Sequence, residues 1–228
     1  MIKNKTLTIL FADVQGYTSR TGSQARDDNN LFVQEIRKFV EKHVLDNNGV
    51  FVKAMGDGFL ATFESPTDAV NCGTKLQKQI EQRNANVLDE SHLIRFRIGI
   101  STGEVSVDDN NDVYGDAVNI AARIQSFAEP NEVFISDSTY LSMNKTEVKT
   151  VDLGPQRFKN VLEEVRVYRV LKHGGTGGAA ALPRPTEPAR HQPSFPLGYA
   201  ALAVAAFLVL ALGVFYIGRM SAGTAPSS

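Results

Sequence analysis

Between residues 7 and 170 the chain switches repeatedly between two hydrophobic rhythms. Short runs of apolar β-formers at 7–14, 50–55, 59–63 and 94–101 predict strands, whereas apolar positions recurring every three to four residues at 30–45, 67–82 and 116–126 predict helices. Further short strands are expected near Val133, Val148 and Val165. The opening order, strand, helix, two strands, helix, strand, matches the split βαβ arrangement of ferredoxin-like folds: an α+β sheet with helices on one face. No internal repeat breaks the pattern, so residues 1–172 read as one domain.

Past residue 172 the rhythm stops. Residues 173–195 are rich in Gly, Ala and Pro without apolar periodicity, the composition of a linker. The next 22 residues, 196–217, carry no charge. At about 1.5 Å per residue they reach about 33 Å, enough to cross a hydrocarbon core of about 30 Å. Tyr199 stands near one end and Phe215 and Tyr216 at the other, as interfacial anchors do. A buried core helix is the competing account, and the lack of a polar face and the intervening linker weigh against it. Residues 218–228 form a short polar tail. Lys172, Arg184 and Arg190 before the span, against Arg219 after it, favour a cytoplasmic N-terminal side. The expectation is a single-pass protein with a lipid bilayer as partner, tethered by one C-terminal transmembrane helix, with its domain on the cytoplasmic side of a bacterial inner membrane.

Charge narrows the function classes. The chain has 24 Lys+Arg against 25 Asp+Glu, and because the tail holds Arg184, Arg190, Arg219 and Glu187, residues 1–172 carry a formal −3. A sequence-independent nucleic-acid binder needs a basic face, so no nucleic-acid partner is expected. The single cysteine, Cys72, rules out an internal disulfide framework and reads as a small buried apolar residue. Lys3, Lys5 and Asp13 interrupt the first apolar run, so no signal peptide is expected there.

Three places could carry chemistry. Asp13 ends the first strand and is followed by Gly16, Tyr17 and Thr18, a turn whose N–H groups could face an anion; simple capping of the turn explains Asp13 equally well. Asp57 lies between Gly56 and Gly58, a strong hairpin signal. A hairpin tip also presents its carboxylate beside a neighbouring strand end, and two such carboxylates could hold a pair of hard divalent cations. In 116–126, Ala117, Ile120, Ala121 and Ile124 form a core-facing stripe, while Asn119 and Arg123 project from another face. A solvated polar face is the ordinary account of that pair, but Arg beside Asn also suits phosphate and sugar oxygens.

Taken together, "FADVQGYT", "KAMGDG" and "DVYGDAVNIAARI", in that order, resemble the class III nucleotide cyclases, the adenylyl and guanylyl cyclase catalytic domain, over residues 6–170. The resemblance implies Asp13 and Asp57 as metal carboxylates for two divalent cations, Mg²⁺ or Mn²⁺. It implies Lys53 and Asp112 as the base-recognition pair and Asn119 and Arg123 as transition-state residues. Gly16, Tyr17 and Thr18 join them as substrate-binding candidates. It further implies a head-to-tail homodimer in which one protomer supplies the carboxylates and the other the base-reading and transition-state residues.

Hydrogen-bond polarity bears on the base. Adenine offers a donor at N6 and an acceptor at N1, which match an acceptor-only Asp112 and a donor-only Lys53; guanine reverses both. Guanylyl members typically carry Glu at the Lys53 position, so ATP is the expected substrate and cyclic AMP with pyrophosphate the products. A cyclase for GTP or a pyrimidine nucleotide, and a catalytically silent nucleotide sensor or scaffold, remain the alternatives. The chain departs from many relatives at Phe158-Lys159-Asn160-Val161, where they have a Leu-Lys-Gly pattern. Lys159 is accordingly a phosphate-binding candidate or a plain loop lysine.

Overall fold

In a computed structural model, which describes residues 2–15 and 26–172, strand β1 (Lys3–Val14) pairs antiparallel with β3 (Gly58–Phe63) on one side and β4 (Phe96–Val107) on the other. Around it the chain adds α1 (Arg26–Leu45), β2 (Gly49–Met55), α2 (Pro66–Asn84), β5 (Val113–Tyr114), α3 (Asp116–Phe127), β6 (Glu132–Ser136), α4 (Asp137–Ser142), β7 (Thr150–Gln156) and β8 (Val165–Val170). The eight-stranded sheet runs β2-β3-β1-β4-β6-β8-β7, with β5 on the outer part of β4. Only β4 and β6 pair in parallel. The first four strands thus make the split βαβ order expected from sequence.

The two faces of β1 are buried by different helices. Leu10, Ala12 and Val14 enter a core with Ile36, Val40 and Val44 of α1 and Val70, Leu76 and Ile80 of α2. Leu7 and Ile9 point the other way, against Ala117 and Ala121 of α3. The expectation of helices on one face therefore holds for α1 and α2 but fails for α3. The cause is visible in β4, where Phe96, Ile98 and Ile100 face α2 while Gly99 clears the opposite side. A Cβ on Gly99 would lie 2.2 Å from the Gln125 backbone nitrogen and 2.4 Å from the Ala121 carbonyl oxygen. The missing side chain lets α3 lie directly on the sheet.

Local chemistry sets the ends of the elements. Ser65 caps α2 by accepting the Asp68 N–H at 3.2 Å, with Pro66 in the first turn, where its missing N–H costs nothing. β4 continues to Val107, past the expected end at 101, because Val105 still packs against Leu7 and Leu60. Three elements were not foreseen, β5, α4 and a single 3₁₀ turn at Glu90–His92; all are too short to show a period. Segments 173–195, 196–217 and 218–228 lie outside the described residues, as do Gly16, Tyr17 and Thr18. Among the described residues no helix is long and apolar enough to cross a membrane.

Gly99→Ala is expected to force α3 away from the sheet, since the obstructing atoms are backbone, and to cost about 3 kcal/mol. Thermal unfolding of the full chain should show a midpoint lowered by about 6–12 °C. Cys72 is fully buried, and desolvation pushes its thiol up to about 12. Iodoacetamide at pH 8 should therefore leave the native chain unmodified and label one thiol per chain in denaturant, as read by intact mass.

Candidate active site

The backbones carrying the two strand-end aspartates come together at the β2–β3 hairpin. β2 and β3 join through Gly56 and Asp57, with Met55 opposite Gly58 and φ +65° at Gly56, a conformation that glycine adopts without Cβ strain. Asp13 is opposite Gly58 in the β1–β3 ladder, and the Val14 N–H donates to the Asp57 carbonyl at 3.2 Å. Neighbouring strand ends thus hold Asp13 and Asp57 side by side. The Asp13 carboxylate is 19% exposed and forms an ion pair with Arg97, its opposite number on β4. The Arg97 Nε is buried and has no hydrogen-bond partner among the described residues. Nothing in the strand pattern singles out Arg97; only register shows that two adjacent strands place it against Asp13.

Lys53 reaches its position through a defect in β2. The ladder runs Phe51 opposite Ala61 and then Lys53 opposite Leu60, a bulge that leaves two residues of β2 against one of β3. Phe51 and Ala54 consequently pack on the α1–α2 side while Val52 packs on the α3 side. Strict alternation would put Lys53 beside Phe51, so the bulge turns it to the α3 side. There its Nζ lies 2.6 Å from both Asp112 oxygens. The Val113 N–H donates to Asp112 Oδ1 at 2.9 Å and the Tyr114 hydroxyl to Oδ2 at 3.2 Å. The hydrogen bond from Lys53 holds the Asp112 carboxyl below its ordinary 3.8, with Val113 and Tyr114 adding to it and burial opposing it. Asp112 therefore stays ionised at neutral and mildly acidic pH, and the pairing is lost only as pH falls through that depressed value.

Asn119 and Arg123 lie one turn apart on α3, whose Ala117, Ala121 and Ile124 are buried as the stripe predicted. Asn119 is exposed and Arg123 half-buried, and neither side chain makes a hydrogen bond or ion pair with a described residue. Lys159 is exposed in the β7–β8 loop, next to Asn160 at φ 64°, and is likewise unpaired. No hydrogen bond or ion pair joins Asp13 or Asp57 to Lys53, Asp112, Asn119 or Arg123. Asp13 with Asp57 at the strand ends and Lys53 with Asp112 on the α3 side are thus two distinct clusters among the described residues, and Asn119 and Arg123 on α3 pair with neither. An open groove of about 550 Å³, lined by Thr102, Glu104, Tyr114 and Asp116 among others, includes none of these six.

The fold is shared with known proteins. Residues 1–172 match the family model for the adenylate and guanylate cyclase catalytic domain, and the chain belongs to that family. It is 32% identical over 168 residues to putative adenylate cyclase 3 of Rhizobium meliloti (strain 1021), covering 73% of this chain and 28% of that protein. The chain thus spans under a third of that relative's length. The adenylate/guanylate cyclase/hydrolase from Silicibacter pomeroyi superposes with TM-score 0.66 at 29% identity, over 75% of this chain and 99% of that one. The guanylate cyclase domain of RhGC from Catenaria anguillulae, solved in complex with GTP, shares the fold at TM-score 0.66 and 22% identity, over 75% and 98% of the two chains.

Arg97→Ala would leave the half-buried Asp13 carboxylate without its counter-charge, at a cost of about 1–2 kcal/mol. Arg97→Lys keeps the charge and should lose less. Thermal unfolding of the two variants beside the parent chain measures the difference.

Proposed function

We propose that the chain is a membrane-tethered adenylyl cyclase that converts ATP to 3′,5′-cyclic AMP and pyrophosphate. The family contains both adenylyl and guanylyl activities, so the choice of base rests on one observation: Lys53 donates to both oxygens of Asp112. A donor-only and an acceptor-only group fixed side by side complement N1 and N6 of adenine. Guanine would set the ammonium against an N–H and the carboxylate against a carbonyl, a mismatch worth about 10⁴ in discrimination at a site built this way.

Asp13 and Asp57 are the candidate holders of two divalent cations, Mg²⁺ or Mn²⁺. Among the described residues no group of three or more His, Cys, Asp or Glu side chains could hold a metal ion. The oxygen donor set fits Mg²⁺, which is commonly bound by one or two carboxylates together with substrate phosphates. When bound, such cations neutralise the triphosphate and ease ionisation of the ribose 3′-hydroxyl. Arg97, whose Nε has no hydrogen-bond partner among the described residues, adds a donor beside the same carboxylate. The reaction forms the bond from O3′ to the α-phosphorus and breaks the bond from that phosphorus to the pyrophosphate oxygen. Arg123 would pair with charge growing on the phosphates and Asn119 would orient the ribose.

That neither the Lys53–Asp112 pair nor Asn119 and Arg123 bond to Asp13 or Asp57 within the described residues of one chain supports a head-to-tail homodimer, in which the carboxylates of one copy face Lys53, Asp112, Asn119 and Arg123 of the other. The span 196–217 would confine both copies to the cytoplasmic face of a bacterial inner membrane and raise their effective concentration.

The test is product formation by the full chain in membranes, offered ATP, GTP, CTP and UTP separately with Mg²⁺ or Mn²⁺. Cyclic AMP from ATP alone is expected, falling at least about 100-fold in Asp57→Ala. Cyclic GMP would overturn the base assignment, and no product from any nucleotide would favour a silent sensor.

A further inference from the structure

We infer that Tyr114 is a positioning residue for nucleotide choice, its hydroxyl holding Asp112 in the orientation that reads an exocyclic amino group. The inference rests on the adenylyl reading above. An ionised carboxylate accepts about four hydrogen bonds, and all four places on Asp112 are filled. Lys53 takes one on each oxygen at 2.6 Å, Val113 N–H one on Oδ1 at 2.9 Å, and the Tyr114 hydroxyl one on Oδ2 at 3.2 Å. An arriving adenine must draw Lys53 towards N1 and give its amino group to Asp112. The two lysine bonds are therefore the ones exchanged, whereas Val113 and Tyr114 stay, one on each oxygen.

With both local donors in place the plane of the carboxylate is fixed. Without the hydroxyl only Oδ1 is anchored, and the terminal torsion of an aspartate has a broad, two-fold profile that resists rotation poorly. The same donor acts against guanine. To accept guanine O6 as a partner, Asp112 would have to carry a proton and donate it, and each hydrogen bond given to the ionised form opposes that. The phenol proton stays in place at neutral pH, because its hydrogen bond to Asp112 raises the Tyr114 hydroxyl above its ordinary value.

The loop's two short bonds are independent of this hydroxyl. Asp108 Oδ1 accepts the N–H groups of Asn110 and Asp112, both at 2.9 Å, whereas the Tyr114 hydroxyl, whose one proton goes mainly to Asp112 at 3.2 Å, reaches Asp108 Oδ2 only at the long distance of 3.5 Å. The Tyr114 residue is 53% exposed, so Tyr114→Phe removes one oxygen from the surface and leaves the turn's own bonds intact.

The experiment compares the full parent chain and Tyr114→Phe in membranes, with ATP and with GTP. The expected result is a five- to tenfold rise in KM for ATP, kcat within about twofold, and an ATP-over-GTP ratio of kcat/KM that falls by a similar factor. An unchanged ratio overturns the inference, whether KM is also unchanged or kcat and the unfolding midpoint fall instead, since that is how a merely structural residue behaves. Failure of the adenylyl reading is seen separately: a parent chain that prefers GTP refutes that reading, and this inference with it, before the variant is considered.

Discussion

One irregularity in one hairpin governs the arrangement of the candidate site. The β2–β3 hairpin carries both Lys53 and Asp57, four residues apart, yet the two belong to different groups. The bulge after Phe51 adds a residue to β2, so the hydrophobic positions on either side of it, Phe51 and Ala54, still reach the same core while Lys53 is turned to the α3 side. Its long apolar stem bridges to a loop distant in sequence, and its ammonium meets Asp112. At the tip, Gly56 supplies the positive φ that lets the chain reverse and bring Asp57 to the end of β1. Regular pairing would keep the tip and lose the Lys53–Asp112 contact.

The remainder of the sheet serves to hold these pieces still. β1 is buried on both faces, and its last residues are bracketed by β3 and β4, so Asp13 is positioned by two ladders at once. Phe59 and Phe96, fully buried and edge-to-face with centroids 6.3 Å apart, pack directly beneath that corner. On the other side Gly99 admits α3, and α3 sets Asn119 and Arg123 on a helix rather than a loop. Catalytic groups mounted on strands and helices lose less orientation than groups on loops. Asp112, in the loop before β5, is the exception, and there Asp108, accepting the Asp112 N–H, and the Tyr114 hydroxyl, donating to the Asp112 carboxylate, hold it in place.

Much of this was legible in the sequence because burial writes a period into it. The apolar runs 7–14 and 59–63, the stripe Ala117, Ala121, Ile124 and the Gly-Asp-Gly turn each correspond to one local physical cause, and each element formed where expected. What the sequence concealed depends on register or on absence. Arg97 meets Asp13 only because β1 and β4 pair with that offset, which no local pattern encodes. The side of the sheet taken by α3 follows from a missing Cβ at Gly99, and a glycine in a strand is equally consistent with a plain weak point. The face reached by Lys53 runs against the period-two rule, so periodicity alone points the wrong way; resemblance to the cyclases, not alternation, identified it.

The proposed head-to-tail pairing draws Asp13 and Asp57 from one copy and Lys53, Asp112, Asn119 and Arg123 from the other. The most direct measurement is complementation, with equal amounts of Asp57→Ala and Arg123→Ala full-length chains co-assembled in one membrane. Each variant alone should be nearly inactive. In a two-fold pair one of the two sites in every mixed dimer regains both intact groups, so the mixture should recover about a quarter of the parent activity. A mixture that stays as inactive as its components, although mixed dimers are shown to form, would contradict a site shared between copies.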